Sequence, residues 1–453
     1  MTSEGLFAGV FARGRTAAEV DDRAWLQAML DFEAALARAS ARVGVLPAEA
    51  AETIAAVCRA DRFDAARLGR EASAAGNPVV PLLRALRAEL PEDAAAHLHL
   101  GATSQDVLDT ASMLVARRAL RPLLDDAGAA AAACAELAEA HRDSVLVGRT
   151  LLQQAPPVTF ALKASHWLVG IDEAREQLAT VSDRLLAIQL GGAGGTLAAL
   201  KGDGLAVAAE LARELELGEP TLPWHAVRVR PAMLAGALAV LAGALGKVAR
   251  DVTLLAQSEV GEAREGGGPG RGGSSTMPHK RNPVAAVSTL ACAQRVPGLV
   301  ATIHWAMIQE HERAAGAWQA EWETLSELLR LVGAEAAWAR EMLETLEVDP
   351  ERMRSNLEAA GDLVMAEGVA TALAAHIGRG RAHELTERAA RRAAEEGRSL
   401  RDVLSELPDA SEHLGPESLD AALDPDAYLG AASELVERAL AAHRKTLDHQ
   451  EPT

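Results

Sequence analysis

The sequence predicts an all-α protein, and three observations carry that prediction. Aromatic residues make up only 3% of the 453 residues, while alanine, leucine, arginine and glutamate dominate, a composition that favours helix over sheet. The alternation of half-buried strands is scarce, whereas apolar residues recur at helical spacing. Between Met233 and Glu259, the residues Leu234, Leu238, Leu241, Leu245, Val248, Val252 and Leu255 form a heptad seam in a stretch otherwise rich in alanine and glycine. Small residues around such a seam let neighbouring helices approach closely, which places this helix inside a bundle.

The other elements follow in chain order. Asp21 to Val43 reads as an amphipathic helix with Trp25, Leu26, Met29, Leu30, Phe32 and Leu36 on one face. Shorter helices are expected over Ala48 to Arg59 and Val80 to Leu90, with Gly76-Asn77-Pro78 as a break between them. The stretch ending Thr103-Ser104-Gln105-Asp106 suits the cap of a helix that runs on to Arg142, where Pro122 should kink or break it. A further helix is expected from Val158 to Leu190. It is closed by the turn Gly191-Gly192-Ala193-Gly194-Gly195-Thr196, which lacks the strand and the spacing of a dinucleotide fingerprint. Helices from Pro283, interrupted at Pro297-Gly298, and from Ala320 to Leu346 complete the bundle. After Asp349-Pro350, short charged helices are separated by Gly378-Arg379-Gly380, Leu407-Pro408 and Leu414-Gly415-Pro416. The expected domains are residues 1–110, a central bundle over 111–350 carrying a catalytic loop at 262–283, and 351–453.

Composition bounds the function. Hydrophobic residues at 49% supply a large core, and a net charge of −19 argues against a general nucleic-acid or anionic-membrane surface. An anionic substrate would therefore need a locally positive pocket. Cys58, Cys134 and Cys292 are scattered and lack metal spacing, so they read as buried small hydrophobes of a reducing cytosol. Met1 to Arg15 has no continuous apolar core, and no run approaches about 18 uninterrupted apolar residues, so a cytoplasmic protein is expected.

The chemistry concentrates in Gly272-Gly273-Ser274-Ser275-Thr276-Met277-Pro278-His279-Lys280-Arg281-Asn282-Pro283, preceded by the glycine-rich Gly266 to Arg271. Glycine's freedom makes this a plausible lid, and Pro283 suits the first position of the following helix. The free N–H groups of that helix start would then attract an anion. A serine hydroxyl can move a proton, and a lysine ammonium stabilises developing negative charge.

Gly273 to Pro283 resembles the GSSxMPxKxNP signature of the fumarase/aspartase superfamily. A second block, His99-Leu100-Gly101-Ala102-Thr103-Ser104-Gln105-Asp106 with Asp109-Thr110-Ala111, matches its HxGxTSxDxxDTA signature, and the third, Gly148-Arg149-Thr150-Leu151-Leu152-Gln153, its GRTHxQ block. The three occur in the expected order. The resemblance implies a three-domain helical subunit in a homotetramer with shared active sites, no metal and no organic cofactor. It implies chemistry through an aci-carboxylate intermediate on a small carboxylate-rich substrate. Ser274 would carry the proton, with Lys280 and Asn282 on the substrate carboxylate as the other catalytic residues. His99, Thr103, Ser104, Arg149, Gln153, Ser275, Met277 and Arg313 would bind substrate.

Two departures bear on the substrate. Leu151 stands where nitrogen-eliminating members carry a histidine acid, so a leaving group that needs no proton is implied. Trp318 and Trp322 stand where adenylosuccinate lyases hold a nucleotide phosphate, and indole offers one donor and no charge. Together these resemble the carboxymuconate cycloisomerase branch, in which a carboxylate closes onto a double bond to give a lactone. An adenylosuccinate-lyase-like C–N lyase is the alternative, and a non-catalytic helical scaffold the third reading.

Overall fold

The computed structural model describes residues 5–267, 272–273, 276–277 and 279–448, and helices account for 71% of the chain. The first long helix, Asp22–Val43, begins where the Asp21 carboxylate accepts the Ala24 N–H at 2.8 Å and ends at the left-handed Gly44. Ala48–Val57 and Val79–Glu89 lie where the periodicity placed them, and a further helix, Ala65–Ala75, ends at left-handed Gly76.

The helix Ser104–Ala140 continues through Pro122, so of the expected kink or break there the break does not occur. Ala119, Leu120 and Leu123 around the proline are buried, and that packing outweighs one missing N–H. A larger correction comes next. Residues 145–159 form an antiparallel hairpin, with β1 (Val145–Thr150) paired to β2 (Gln153–Thr159), so the following helix starts at Phe160 and ends at Leu185. The turn is Leu151-Leu152, both left-handed at φ of 51° and 65°, and β2 contains Pro156-Pro157. Neither feature is a usual hairpin signal.

Val229–Leu255 carries the heptad seam, and all seven seam residues are at or below 5% exposure. Val284–Ala293 and Val296–Trp305 are separate helices, with Pro297 in the first turn of the second, and Ala317–Glu344 follows. By length and composition, Val229–Leu255 and Val284–Trp305 could each span a bilayer. The first instead buries its seam within the protein, and the second is interrupted at residues 294–295. A second short pairing joins β3 (Ala263–Glu265) to β4 (Leu346–Val348).

Two compact units emerge, and their boundaries fall inside the long helices. One comprises Met1–Ala129, Glu173–Lys247 and Val287–Arg340, and the other Ala130–Asp172, Val248–Ala286 and Glu341–Thr453. The second contains the expected short helices, whose core gathers Val369, Leu373, Leu385, Leu400 and Val403. Asp362 accepts the first N–H groups of Leu400–Glu406 at 2.8 Å each. All three cysteines are buried, and burial pushes the Cys58 and Cys292 thiols up to about 12, leaving little thiolate to react.

Candidate active site

In the first unit the site is built around one carboxylate. Asp106, fully buried in the first turn of Ser104–Ala140, accepts the Thr103 N–H at 3.0 Å, the Gly191 N–H at 3.0 Å and the Gly192 N–H at 2.9 Å, with His225 Nε2 at 2.7 Å. This draws the Thr103-Ser104 segment and the glycine turn together. The turn must be glycine there: a Cβ on Gly192 would lie 2.7 Å from the Gly101 carbonyl oxygen, and one on Gly101 2.5 Å from Leu200. Thr110 completes the seam by exchanging hydrogen bonds with the Gln189 backbone at 3.1 and 2.8 Å.

Arg313 reaches this segment from the loop before Ala317–Glu344. Its guanidinium donates to Thr103 Oγ1 at 3.1 Å, to Gln105 Oε1 at 3.1 Å and to the Gly192 carbonyl at 3.4 Å. All three acceptors are neutral, so its charge is left to meet an anion. Beneath it, buried Arg228 is gripped by Asp109 at 2.8 and 2.9 Å and by Glu321 at 3.0 and 3.1 Å. Burial opposes the Arg228 charge, but the two carboxylates hold its pKa above the ordinary value, while burial holds that of Glu321 up against the pull of Arg228. Trp318 directs its indole N–H to Asp109 at 3.1 Å and meets Trp322 edge to face, so its one donor is already engaged.

His99 sits at a φ of 62° with Nδ1 2.7 Å from the buried carboxylate of Glu33. Burial opposes its protonation, yet Glu33 and Asp106 raise its pKa above the ordinary histidine value. Ser104 is half-buried at the start of its helix.

The remaining candidates belong to the second unit. Arg149 makes a two-pronged pair with fully buried Glu262 at 2.7 and 2.8 Å, and Asn356 adds a bond to the same carboxylate at 2.8 Å. Its charge is thereby matched within the protein, which makes it an anchor for the hairpin. Gln153 is exposed at the start of β2, and Leu151 at the turn is 96% exposed. Asn282 donates from its backbone N–H at 2.8 Å and from its side-chain amide at 3.0 Å to the Gly272 carbonyl, closing the mouth of the loop. Lys280 and Met277 are exposed, joined through their backbones at 3.1 Å. Ser274 and Ser275 lie outside the described residues. The helix start after Pro283 is occupied, contrary to the expectation of free donors. Glu265 accepts the Ala285 N–H at 3.0 Å and the Ala286 N–H at 2.6 Å.

Sequence reasoning pointed to Thr103, Ser104 and Arg313 but gave no partner for them. Gln105, Asp109, Arg228 and Glu321 act across separations of about a hundred residues or more, as the pairs Arg228–Glu321, Arg228–Asp109 and Arg313–Gln105 show. His225 stands alone in its local sequence, where no pattern marks it.

A mainly helical chain with a threonine-serine segment, an arginine bonded among the described residues only to neutral acceptors, and the Gly273 to Pro283 motif fits a lyase-type enzyme. Residues 12–298 match the family model described as Lyase, and residues 362–439 the one described as Adenylosuccinate lyase C-terminus. The chain belongs to this lyase family, the fumarase/aspartase superfamily. It is 50% identical over 441 residues to a 3-carboxy-cis,cis-muconate cycloisomerase of Pseudomonas aeruginosa, covering 97% of this chain and 96% of that one. It is 43% identical over 461 residues to a nitrosuccinate lyase of Streptomyces davaonensis, covering 99% and 97%. The solved 3-carboxy-cis,cis-muconate lactonizing enzyme of Pseudomonas putida superposes with a TM-score of 0.91 at 44% identity, covering 98% and 99%.

Proposed function

We propose that this enzyme is a cycloisomerase converting 3-carboxy-cis,cis-muconate to 4-carboxymuconolactone, a step of aromatic catabolism in the β-ketoadipate pathway. One carboxylate oxygen forms a C–O bond to a diene carbon, and the displaced electron pair moves onto the carbon beside another carboxylate as an aci-carboxylate. Ser274 delivers the proton to that carbon. Lys280, Asn282, Thr103, Ser104 and Arg313 hold the carboxylates, and His99 orients one of them. No metal or organic cofactor takes part.

The observation that carries the reading is Leu151. It stands in an otherwise intact GRTxxQ block, where a leaving amine would need an acid. An amine expelled without a proton leaves as a high-energy anion, whereas a carboxylate with a reference pKa near roughly 4 is stable. Nitrite is likewise a stable anion, and the 43% identity to a nitrosuccinate lyase makes elimination of nitrite the second reading. We read the active enzyme as a cytoplasmic homotetramer with shared sites and the subunit as domains 1–110, 111–350 and 351–453. The exposed apolar tip Leu151-Leu152 supports association.

The test follows loss of diene absorbance from 3-carboxymuconate in EDTA-treated buffer, beside nitrosuccinate, adenylosuccinate and argininosuccinate. Turnover of the muconate with little release of AMP or arginine is expected. Robust cleavage of adenylosuccinate or argininosuccinate would replace the reading with the amine-releasing lyase, dominant nitrite release with the second reading, and silence on all four with the scaffold. Ser274→Ala should lower kcat by at least about a hundredfold with a smaller change in binding, and Ser275→Ala by much less.

A further inference from the structure

We infer that Gln105 is a positioning residue that aims Arg313 at a substrate carboxylate while leaving its charge intact. The inference rests on the reading above, in which Arg313 meets a carboxylate. Gln105 is fully buried. Its Nε2 donates to the His225 carbonyl at 2.8 Å and to Asp109 Oδ2 at 3.2 Å, and its Oε1 accepts from Arg313 Nε at 3.1 Å. The amide has only one tolerable orientation. Turned over, its oxygen would face a carbonyl and a carboxylate, and its NH2 would face the guanidinium.

Asp109 is itself fixed by two bonds from Arg228 and one from Trp318, and Arg228 is fixed by Glu321. The rigidity of this buried ion cluster therefore passes through one neutral amide to Arg313. Neutrality is the point of the arrangement. A carboxylate at residue 105 would occupy the same space and still accept from Nε, but it would cancel the charge needed for the substrate. An apolar side chain would keep the charge and lose the alignment. Arg313 needs both, because its remaining partners are Thr103 Oγ1 on the substrate-binding segment and the Gly192 carbonyl on the glycine turn tied to it through Asp106.

The experiment compares wild type, Gln105→Met, Gln105→Glu, Arg313→Met and the Gln105→Met/Arg313→Met double variant. It measures kcat and KM on 3-carboxymuconate and nitrosuccinate, with the unfolding midpoint followed by circular dichroism. Wild-type turnover tests the reading, and differences among variants test Gln105. Gln105→Met should raise KM about tenfold or more with a smaller change in kcat, and should add nothing to Arg313→Met in the double variant. Gln105→Glu should show a KM that climbs with pH more steeply than that of the wild type. Its carboxyl faces Asp109 on its own helix, Arg313 on the loop before Ala317–Glu344, and Arg228 and Glu321 beyond Asp109. When neutral it donates to Asp109 and presents a carbonyl to Arg313, as glutamine does, and when ionised it cancels Arg313. A wild-type KM in Gln105→Met, additive single variants, or a KM in Gln105→Glu that follows pH as the wild type's does would each overturn the inference. If Gln105→Met lowers the unfolding midpoint markedly, the isosteric Gln105→Glu pH profile decides alone. Absence of wild-type turnover on both substrates would remove the reading and this inference with it.

Discussion

Leu151 shows how much one residue can decide and how little of its setting the sequence reveals. Its identity was legible because the surrounding GRTxxQ block is intact, but its place at a hairpin tip was not. Two leucines with positive φ are each strained by roughly 1–2 kcal/mol, and no turn signal accompanies them. Because the side chain is 96% exposed, a histidine here would face no desolvation penalty within one chain. Leu151→His should not raise lactonisation, since ring closure by a carboxylate leaves no second proton for an acid to handle. It should also gain no measurable release of AMP from adenylosuccinate. A large rise in lactonisation would mean that the reaction has a second proton to handle. Thr103 and Arg313 were legible from their motifs in the same way. Gln105 was not, since an amide's orientation is set by partners as far as 208 residues away.

Among the elements, helices were legible and the pieces that join them were not. Heptad spacing and apolar periodicity are local signals, and the Val229–Leu255 seam and the Asp22–Val43 helix appear where they predict. The β1–β2 hairpin has no alternation to betray it, and its anchor, Arg149 with Glu262, spans 113 residues. Glu265 at the start of Val284–Ala293 is equally silent in the sequence, yet it fills the anion position that the helix end would otherwise offer. Gly272 and Asn282, which flank Ser274 in the sequence, are joined by two hydrogen bonds, and Gly272 has no substitute: its φ is +65° and a Cβ would lie 2.4 Å from the Asn282 carbonyl oxygen. Gly272→Ala should thus break the Gly272–Asn282 contact and lower kcat/KM by about tenfold or more, a displacement of Asn282 with little packing lost. The unfolding midpoint should stay near wild type. Unchanged kinetics would show that the Gly272–Asn282 contact is dispensable for Ser274.

At the scale of the whole molecule, a chain of net charge −19 still buries ionisable groups, and their partners decide what each does to stability. Arg228 has two carboxylates and Glu262 has Arg149, so their charges are matched inside the protein. Glu335 has none. It is fully buried on Ala317–Glu344, neither oxygen finds a hydrogen-bond partner, and a Cβ on Gly246 would lie 3.8 Å from it and 3.0 Å from Ala293, where three helices of the bundle converge. Burial raises its pKa well above the ordinary carboxylate value, so the folded protein keeps a proton that the unfolded chain releases. The sign follows from linkage. Below about pH 4 both states hold the proton and Glu335 adds no pH dependence. As pH rises past that point, the unfolded chain ionises while the folded one does not, so stability is lost progressively toward the raised pKa. Glu335→Gln keeps the size of the side chain and removes the titration. Its unfolding midpoint should rise relative to wild type between about pH 4 and pH 7, because all other titrating groups are shared by the two proteins and cancel in the difference. A gap that stays constant over that range would mean that the folded protein ionises Glu335 as readily as the unfolded chain does, and that the bundle core admits a partner for it.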